Sequence, residues 1–347
     1  MAWYQLFTKL PKEDSRRRSN RNNIGSSGVR SLRHEPLEER RLLSIGSSLD
    51  PLGTPDNANY LIITADTFYE EVMPLAQWKQ DKGYQTHVAK MSDIGSTDVE
   101  IKEFIQSTYD SETADLQYVL LVGDHEDVPS HFVEGAFWNS DYIYSLVEGD
   151  DVYADLAVGR LPGDTEAQIS VMVEKILDYE LTPDQGDWYD DVLLAGQFQD
   201  IDSNGVSEQM FMEDLNRAAD FLGDDYGYYA GADPHDQGYE IHTNRIWDTD
   251  PSGDLLYGGW DYPGRIERPD SVPDAWKDLQ DEDISDVLNS GVSLVIHRNH
   301  GSADGWSHPS FTTPEVESLT NTDALPFVFS LNCSSGMFDS GDSYAEA

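Results

Sequence analysis

From residue 60 onward, short apolar runs rich in β-branched residues alternate with stretches of helical period, and this alternation restricts the chain to mainly parallel sheets flanked by helices. Tyr60–Thr64 reads as a buried strand, followed by a helical stretch containing Val72, Leu75, Trp78 and Lys79. Thr86–Ala89, Tyr118–Val122 and Leu156–Leu161 read as further strands, with a helix through Val99–Tyr109. Thr165 and Gln168 form a capping box ahead of a helix in which Ile169, Met172, Val173, Ile176 and Leu177 keep a 3.6-residue period. The Pro, Asp and Gly residues of 183–187 mark a subdomain boundary, and the alternation then restarts. Val192–Phe198, Glu240–Ile246, Val292–His297 and Pro326–Leu331 read as strands, Glu208–Leu222 and 281–289 as helices, and 248–276 as a loop. The expected organisation is a head and linker over 1–57, an α/β subdomain over 58–182 and a second over 183–347. The second ends at Tyr344–Ala347 in what reads as the first turn of another helix, so it is expected to be truncated at its C-terminus and followed by further domains of the same polypeptide.

Charge narrows the partners. The 347 residues include 22 Lys+Arg against 66 Asp+Glu, a formal net charge of −44, which excludes nucleic acid as a partner and disfavours anionic lipid. The longest apolar runs fall far short of the roughly 20 residues of a membrane-spanning helix, so no membrane insertion is expected. One cysteine makes no internal disulfide and no cysteine-based structural zinc site. Residues 1–45 run against the trend, with ten Lys+Arg and five acids, a net of +5 that leaves −49 on the rest. This head is rich in Ser and Asn, lacks apolar periodicity and reads as a disordered or processed segment. Within it, Leu37–Ser44 resembles a tag near the start of large surface proteins of some bacteria, which implies a secreted or cell-surface location.

Working groups of open parallel sheets sit at the carboxyl ends of strands. Here the Val292–Ile296 run leads into His297-Arg298-Asn299-His300-Gly301-Ser302, and Pro326–Leu331 leads into Asn332-Cys333-Ser334-Ser335-Gly336. A histidine and the one cysteine, each just past a core strand, are the parts of a thiol nucleophile and its base. Small residues after both supply backbone N–H groups for a developing oxyanion. By itself a lone cysteine at the end of an apolar strand reads equally as a small buried hydrophobe.

The segments Leu120-Leu121-Val122-Gly123-Asp124-His125, Ala157-Val158-Gly159-Arg160-Leu161, Asn299-His300-Gly301-Ser302 and Pro326–Cys333 resemble the gingipain family of cysteine peptidases, in the family's order and spacing. The resemblance implies a caspase-like α/β fold and cysteine endopeptidase activity on protein or peptide substrates, with no cofactor required. It makes His300 the general base and Cys333 the nucleophile, with the Gly301 and Cys333 amides as oxyanion hole. His297 lies on the strand side and lacks the following glycine, so it reads as a core residue. A metal site on the His-x-x-His pair lacks a matching acid motif on the same element. Asp200 is the carboxylate nearest the family's acid that orients the histidine. Glu208 falls near the acid that, in relatives cutting after arginine, pairs with the substrate's guanidinium; as a helix-start glutamate it is equally favoured by the dipole alone.

A calcium reading competes for these side chains. Asp200-x-Asp202-x-Asn204-Gly205 matches the first half of a calcium loop, with Glu208 at the ninth position and Phe211 where the twelfth-position glutamate belongs. A plain Asp/Asn turn fits as well. The rival to the peptidase is therefore a non-catalytic calcium-binding surface module on the same fold.

Overall fold

The computed structural model describes residues 52–347 except 135–137, 182–185, 198–205, 208–210, 224–241, 249–265, 268–275, 279–280, 308, 340 and 342. The first sheet and its helices run β1 (Tyr60–Thr64), α1 (Tyr69–Asp81), β2 (Thr86–Lys90), the short α2 (Met91–Ile94), α3 (Asp98–Tyr109), β3 (Tyr118–Val122), a hairpin of β4 (His131–Val133) and β5 (Trp138–Ser140), β6 (Ala157–Leu161) and α4 (Glu166–Leu181). Its strand order is β2-β1-β3-β6, all parallel. The two central strands, β1 and β3, are nearly continuous apolar runs because both sheet faces are covered. Leu61 and Ile63 join Ile101 and Ile105 of α3 on one face, while Ile62 joins Val72 and Leu75 of α1 and Ile169 of α4 on the other. Helix starts follow the sequence: the Thr97 hydroxyl accepts from the Glu100 N–H at the head of α3, and that of Thr165 accepts from the Gln168 N–H ahead of α4.

The second sheet is built from β7 (Asp191–Gln197), β9 (His242–Asp248), β11 (Trp276–Asp278), β12 (Leu294–Arg298) and β16 (Phe327–Leu331). Between them lie the short strands β8 (Val206–Ser207) and β10 (Ile266–Glu267), the helices α5 (Phe211–Gly223) and α6 (Asp281–Ser290), a small antiparallel sheet of β13 (Gly301–Ser302), β14 (Gly305–Ser307) and β15 (Ser310–Thr312), and α7 (Thr313–Glu317). The five main strands are parallel in the order β11-β9-β7-β12-β16. Leu193, Ala195 and Val295 pack with Ile284 and Leu288 of α6 and with Trp306 and Phe311 from the small sheet. The fold is thus the expected arrangement of parallel sheets flanked by helices.

Some elements depart from the sequence reading. β12 begins at Leu294 rather than Val292, because Gly291, at φ +94°, closes α6 and Val292–Ser293 carry the chain into the sheet. The loop expected over 248–276 contains β10. Tyr344–Glu346 form a turn, not a helix: the Tyr344 N–H donates to Ala303 O (2.7 Å) and that of Ala345 to Ser335 O (2.9 Å), so both are engaged outside the local chain. The segment after β16 also meets the first sheet's loops. Asn139 Nδ2 donates to Asp339 Oδ2 at 2.7 Å, and the Arg160 guanidinium, bidentate on Asp141, lies 4.8 Å from the Phe338 ring centre. Among the described residues no helix is long and apolar enough to cross a membrane.

One ion cluster ties α4 to α1. Burial alone would raise the Glu180 carboxyl, but hydrogen bonds from Lys79 Nζ (2.6 Å), Lys82 Nζ (2.8 Å) and Trp78 Nε1 (2.7 Å) outweigh it and hold it at about 2. A depressed carboxylate contributes stability that is complete above its ordinary value of 4.5 and is lost as pH falls toward 2. Glu180→Gln is expected to cost about 2 kcal/mol at about pH 7 and less than half of that at about pH 2.5. Urea unfolding of both proteins at the two pH values checks this; an equal cost at both would contradict the linkage.

Candidate active site

The two chemistry-bearing loops leave the second sheet side by side. β12 and β16 pair from Leu294↔Phe327 through His297↔Ser330 to Arg298↔Leu331. His300 lies two residues past the end of β12 and Cys333 two past the end of β16, so the same register carries them off the sheet at matching height. Close approach follows. A Cβ on Gly301 would sit 2.7 Å from Asn332 Cγ and Oδ1 and 3.0 Å from the Cys333 carbonyl oxygen. Only a residue without a side chain lets the His300 loop lie against the Cys333 loop this way. His300 and Cys333 are both exposed, so the thiol is not the buried hydrophobe that a lone cysteine on an apolar strand could have been.

His300 is seated by α5 and by the small sheet. The buried Phe211, first residue of α5, meets the imidazole edge to face at 5.3 Å between ring centres and 90°. The guanidinium of Arg298 covers the Phe211 ring at 4.8 Å and pairs with Asp214 at 3.5 Å, which fixes α5 against the end of β12. The His300 carbonyl accepts from the Ser307 N–H at 3.1 Å, where β13 turns back into β14.

Cys333 stands on a strained turn. Ser334, directly after it, has φ +60° and is the one non-glycine residue with positive φ among the described residues. Such a conformation costs on the order of 1–2 kcal/mol and persists where the surroundings over-determine it. Those surroundings are polar and partly buried. Trp306 Nε1 and Asn332 Nδ2 each lie 2.8 Å from Ser330 Oγ, Asn332 Nδ2 is 3.0 Å from His297 Nδ1, and Ser330 Oγ is 3.3 Å from Ser335 Oγ. His297 is fully buried and stacks flat on Trp306, at 4.1 Å between ring centres and 2°. It is the core residue that its place in the strand suggested, set apart from the exposed His300.

At the neighbouring strand end, Asn299 Nδ2 donates to Gln197 Oε1 at 3.0 Å, both side chains buried, which ties β7 to β12 just where β7 runs out. Of the residues the sequence singled out, Gly301 lies against the Cys333 loop, and His300 and Cys333 each follow one of two paired strands. Asp200, Asp202, Asn204 and Glu208, assigned to an orienting acid, a specificity acid or calcium, lie outside the described residues. Among the described residues no group of three or more His, Cys, Asp or Glu side chains is placed to hold a metal ion. Sequence reasoning missed four supporting residues: Phe211, Gln197, Asn299 and Asn332. The signal available for three of them was a polar side chain at the end of an apolar strand, which needs a partner once buried.

Residues 53–347 match Peptidase family C25. The chain is 28% identical over 293 residues to gingipain R2 of Porphyromonas gingivalis, covering 83% of this chain and 34% of that protein. It is 24% identical over 287 residues to Lys-gingipain of the same organism, covering 80% of this chain and 14% of that one. The chain thus spans about a third or less of the length of these curated relatives. Its fold is similar to the crystal structure of the Arg-specific cysteine proteinase gingipain R, with a TM-score of 0.64 and 27% identity over 85% of this chain and 59% of that one. A complex of the pro- and mature domains of an enzyme of the same kind superposes with a TM-score of 0.63 and 26% identity. A match that runs through both sheets, with His300 and Cys333 at the ends of adjacent strands, makes this chain a member of Peptidase family C25.

Proposed function

We propose that the protein is a cysteine endopeptidase that hydrolyses peptide bonds through Cys333 and His300. The observation that carries this reading is the parallel pairing of β12 with β16, which sets His300-Gly301 against Asn332-Cys333 on an exposed edge of the fold. In this mechanism the Cys333 thiolate attacks the scissile carbonyl carbon, and the oxyanion that develops is met by the N–H groups of Gly301 and Cys333. His300 gives a proton to the leaving amine, the C–N bond breaks and a thioester remains on Sγ. His300 then takes a proton from water as it attacks the thioester, the C–S bond breaks and the thiolate is restored.

The relatives' names include an Arg-specific proteinase and a Lys-gingipain. By that likeness, and with Glu208 as the acid that would pair with a cationic side chain, the substrate is a polypeptide with Arg or Lys before the scissile bond. Asp200 would orient His300. The basic head and its resemblance to a surface-protein tag support export to the cell surface or medium.

Two sets of variants test the reading. Cys333→Ala and His300→Ala are each expected to lower kcat on Arg- and Lys-containing peptides by at least about 1,000-fold; undiminished hydrolysis in either would sink the proposal. Gly301→Ala pushes a methyl group into Asn332 and the Cys333 carbonyl and is expected to lower kcat roughly 100-fold with little change in folding. A Gly301→Ala enzyme with full kcat would show that the close approach of the two loops has no part in turnover.

A further inference from the structure

We infer that Asn332 and Ser330, backed by His297 and Trp306, are positioning residues that hold the Cys333 turn at the height the reaction requires; the inference rests on Cys333 being the nucleophile. The hydrogen bonds form one connected set that brackets the cysteine. Asn332, immediately before it, donates through Nδ2 to Ser330 Oγ (2.8 Å) and to His297 Nδ1 (3.0 Å). Trp306 Nε1, a donor only, also points at Ser330 Oγ (2.8 Å). With both lone pairs of the Ser330 hydroxyl taken, its proton is left for Ser335 Oγ, 3.3 Å away and two residues beyond Cys333. The same side chains therefore fix the residue before the nucleophile and the buried residue after the strained Ser334.

The set has a rigid base. His297 stacks at 4.1 Å on Trp306, and both are buried against the second sheet's core. With Asn332 Nδ2 as the donor, His297 Nδ1 is the acceptor of this bond. At its other end the set reaches the His300 loop, because the Asn332 carboxamide fills the space in front of Gly301 Cα. A shift of Asn332 would thus move Cys333 and change the separation of the Gly301 and Cys333 amides together. None of these four side chains has to touch substrate; they act through Cys333.

The test compares Ser330→Ala, Ser330→Thr and His297→Phe in the full protein, with Cys333→Ala as reference. Ser330→Ala removes the hub of the set, Ser330→Thr keeps its hydroxyl, and His297→Phe keeps the stack on Trp306 but removes the acceptor. Ser330→Ala and His297→Phe are expected to lower kcat by roughly 10- to 100-fold with KM within about 2-fold. Inactivation by an Arg chloromethyl ketone should slow in step with kcat, while alkylation of Cys333 by iodoacetamide, which needs no aligned oxyanion donors, should change less than about 2-fold. Ser330→Thr should restore most of the lost kcat. Wild-type kcat in a folded Ser330→Ala or His297→Phe protein overturns the inference while leaving the peptidase reading intact, as does a Ser330→Thr protein no better than Ser330→Ala. A wild-type protein without turnover, or turnover that survives Cys333→Ala, removes the peptidase reading itself and this inference with it.

Discussion

The site depends on one strand pairing. β12 and β16 lie parallel with an offset that matches Leu294 with Phe327 and keeps His300 and Cys333 in step as the chain leaves the sheet. In a parallel pair the two chains run out at the same edge, so the loops that leave the two strands are delivered to the same place. A slip of one residue would turn the alternate side chains of β16 to the other face and carry Ser330 away from Trp306 and His297. The register is held by more than ladder hydrogen bonds. Trp306 reaches from β14 to Ser330 of β16 while stacking on His297 of β12, so one indole reads the position of both strands.

The layer beneath the two loops is unusually polar for strand ends. Gln197, His297 and Asn299 are all nearly or fully buried, and each removes a hydrogen-bonding group from water that must be satisfied inside. The described pairs Asn299–Gln197 and Asn332–His297 do this across strand boundaries, first between β7 and β12 and then between β12 and β16. Apolar side chains there would pack as well but would tolerate small slides. Directional bonds do not, and a strained turn such as the one after Cys333 needs a support that does not slide.

The fold was legible in the sequence where burial is simple. β1 and β3 have the bounds that their apolar runs predict, and the helix after Thr165 begins where its capping box places it. Strand ends at glycines were less exact, since hydropathy continues through Val292 although Gly291 delays the sheet until Leu294. The short strands β13 to β15 have no period long enough to register, and their pairing is decided by Trp306 and Phe311 entering the core. The places of Cys333 and His300, each two residues past a paired strand, were legible because both follow apolar strand runs. Phe211 was not, because as the residue that breaks a calcium-loop pattern it showed only a mismatch, whereas its contact with His300 is made across a long stretch of intervening chain by the packing of α5. Asn332 was hidden for a similar reason: its partner His297 is next to it only once β12 and β16 are in register.

β16 is the edge of its sheet among the described residues, paired with β12 on one side only. Phe327, Val328, Phe329 and Leu331 are exposed along this strand, whose neighbouring residues face opposite ways. The inward-facing exception along β16 is Ser330, and it is the residue on which Trp306 and Asn332 converge. Directional bonds to the neighbouring strand thus bear on the position of Cys333, and this makes a hydroxyl at 330 matter more to its loop than its small size suggests.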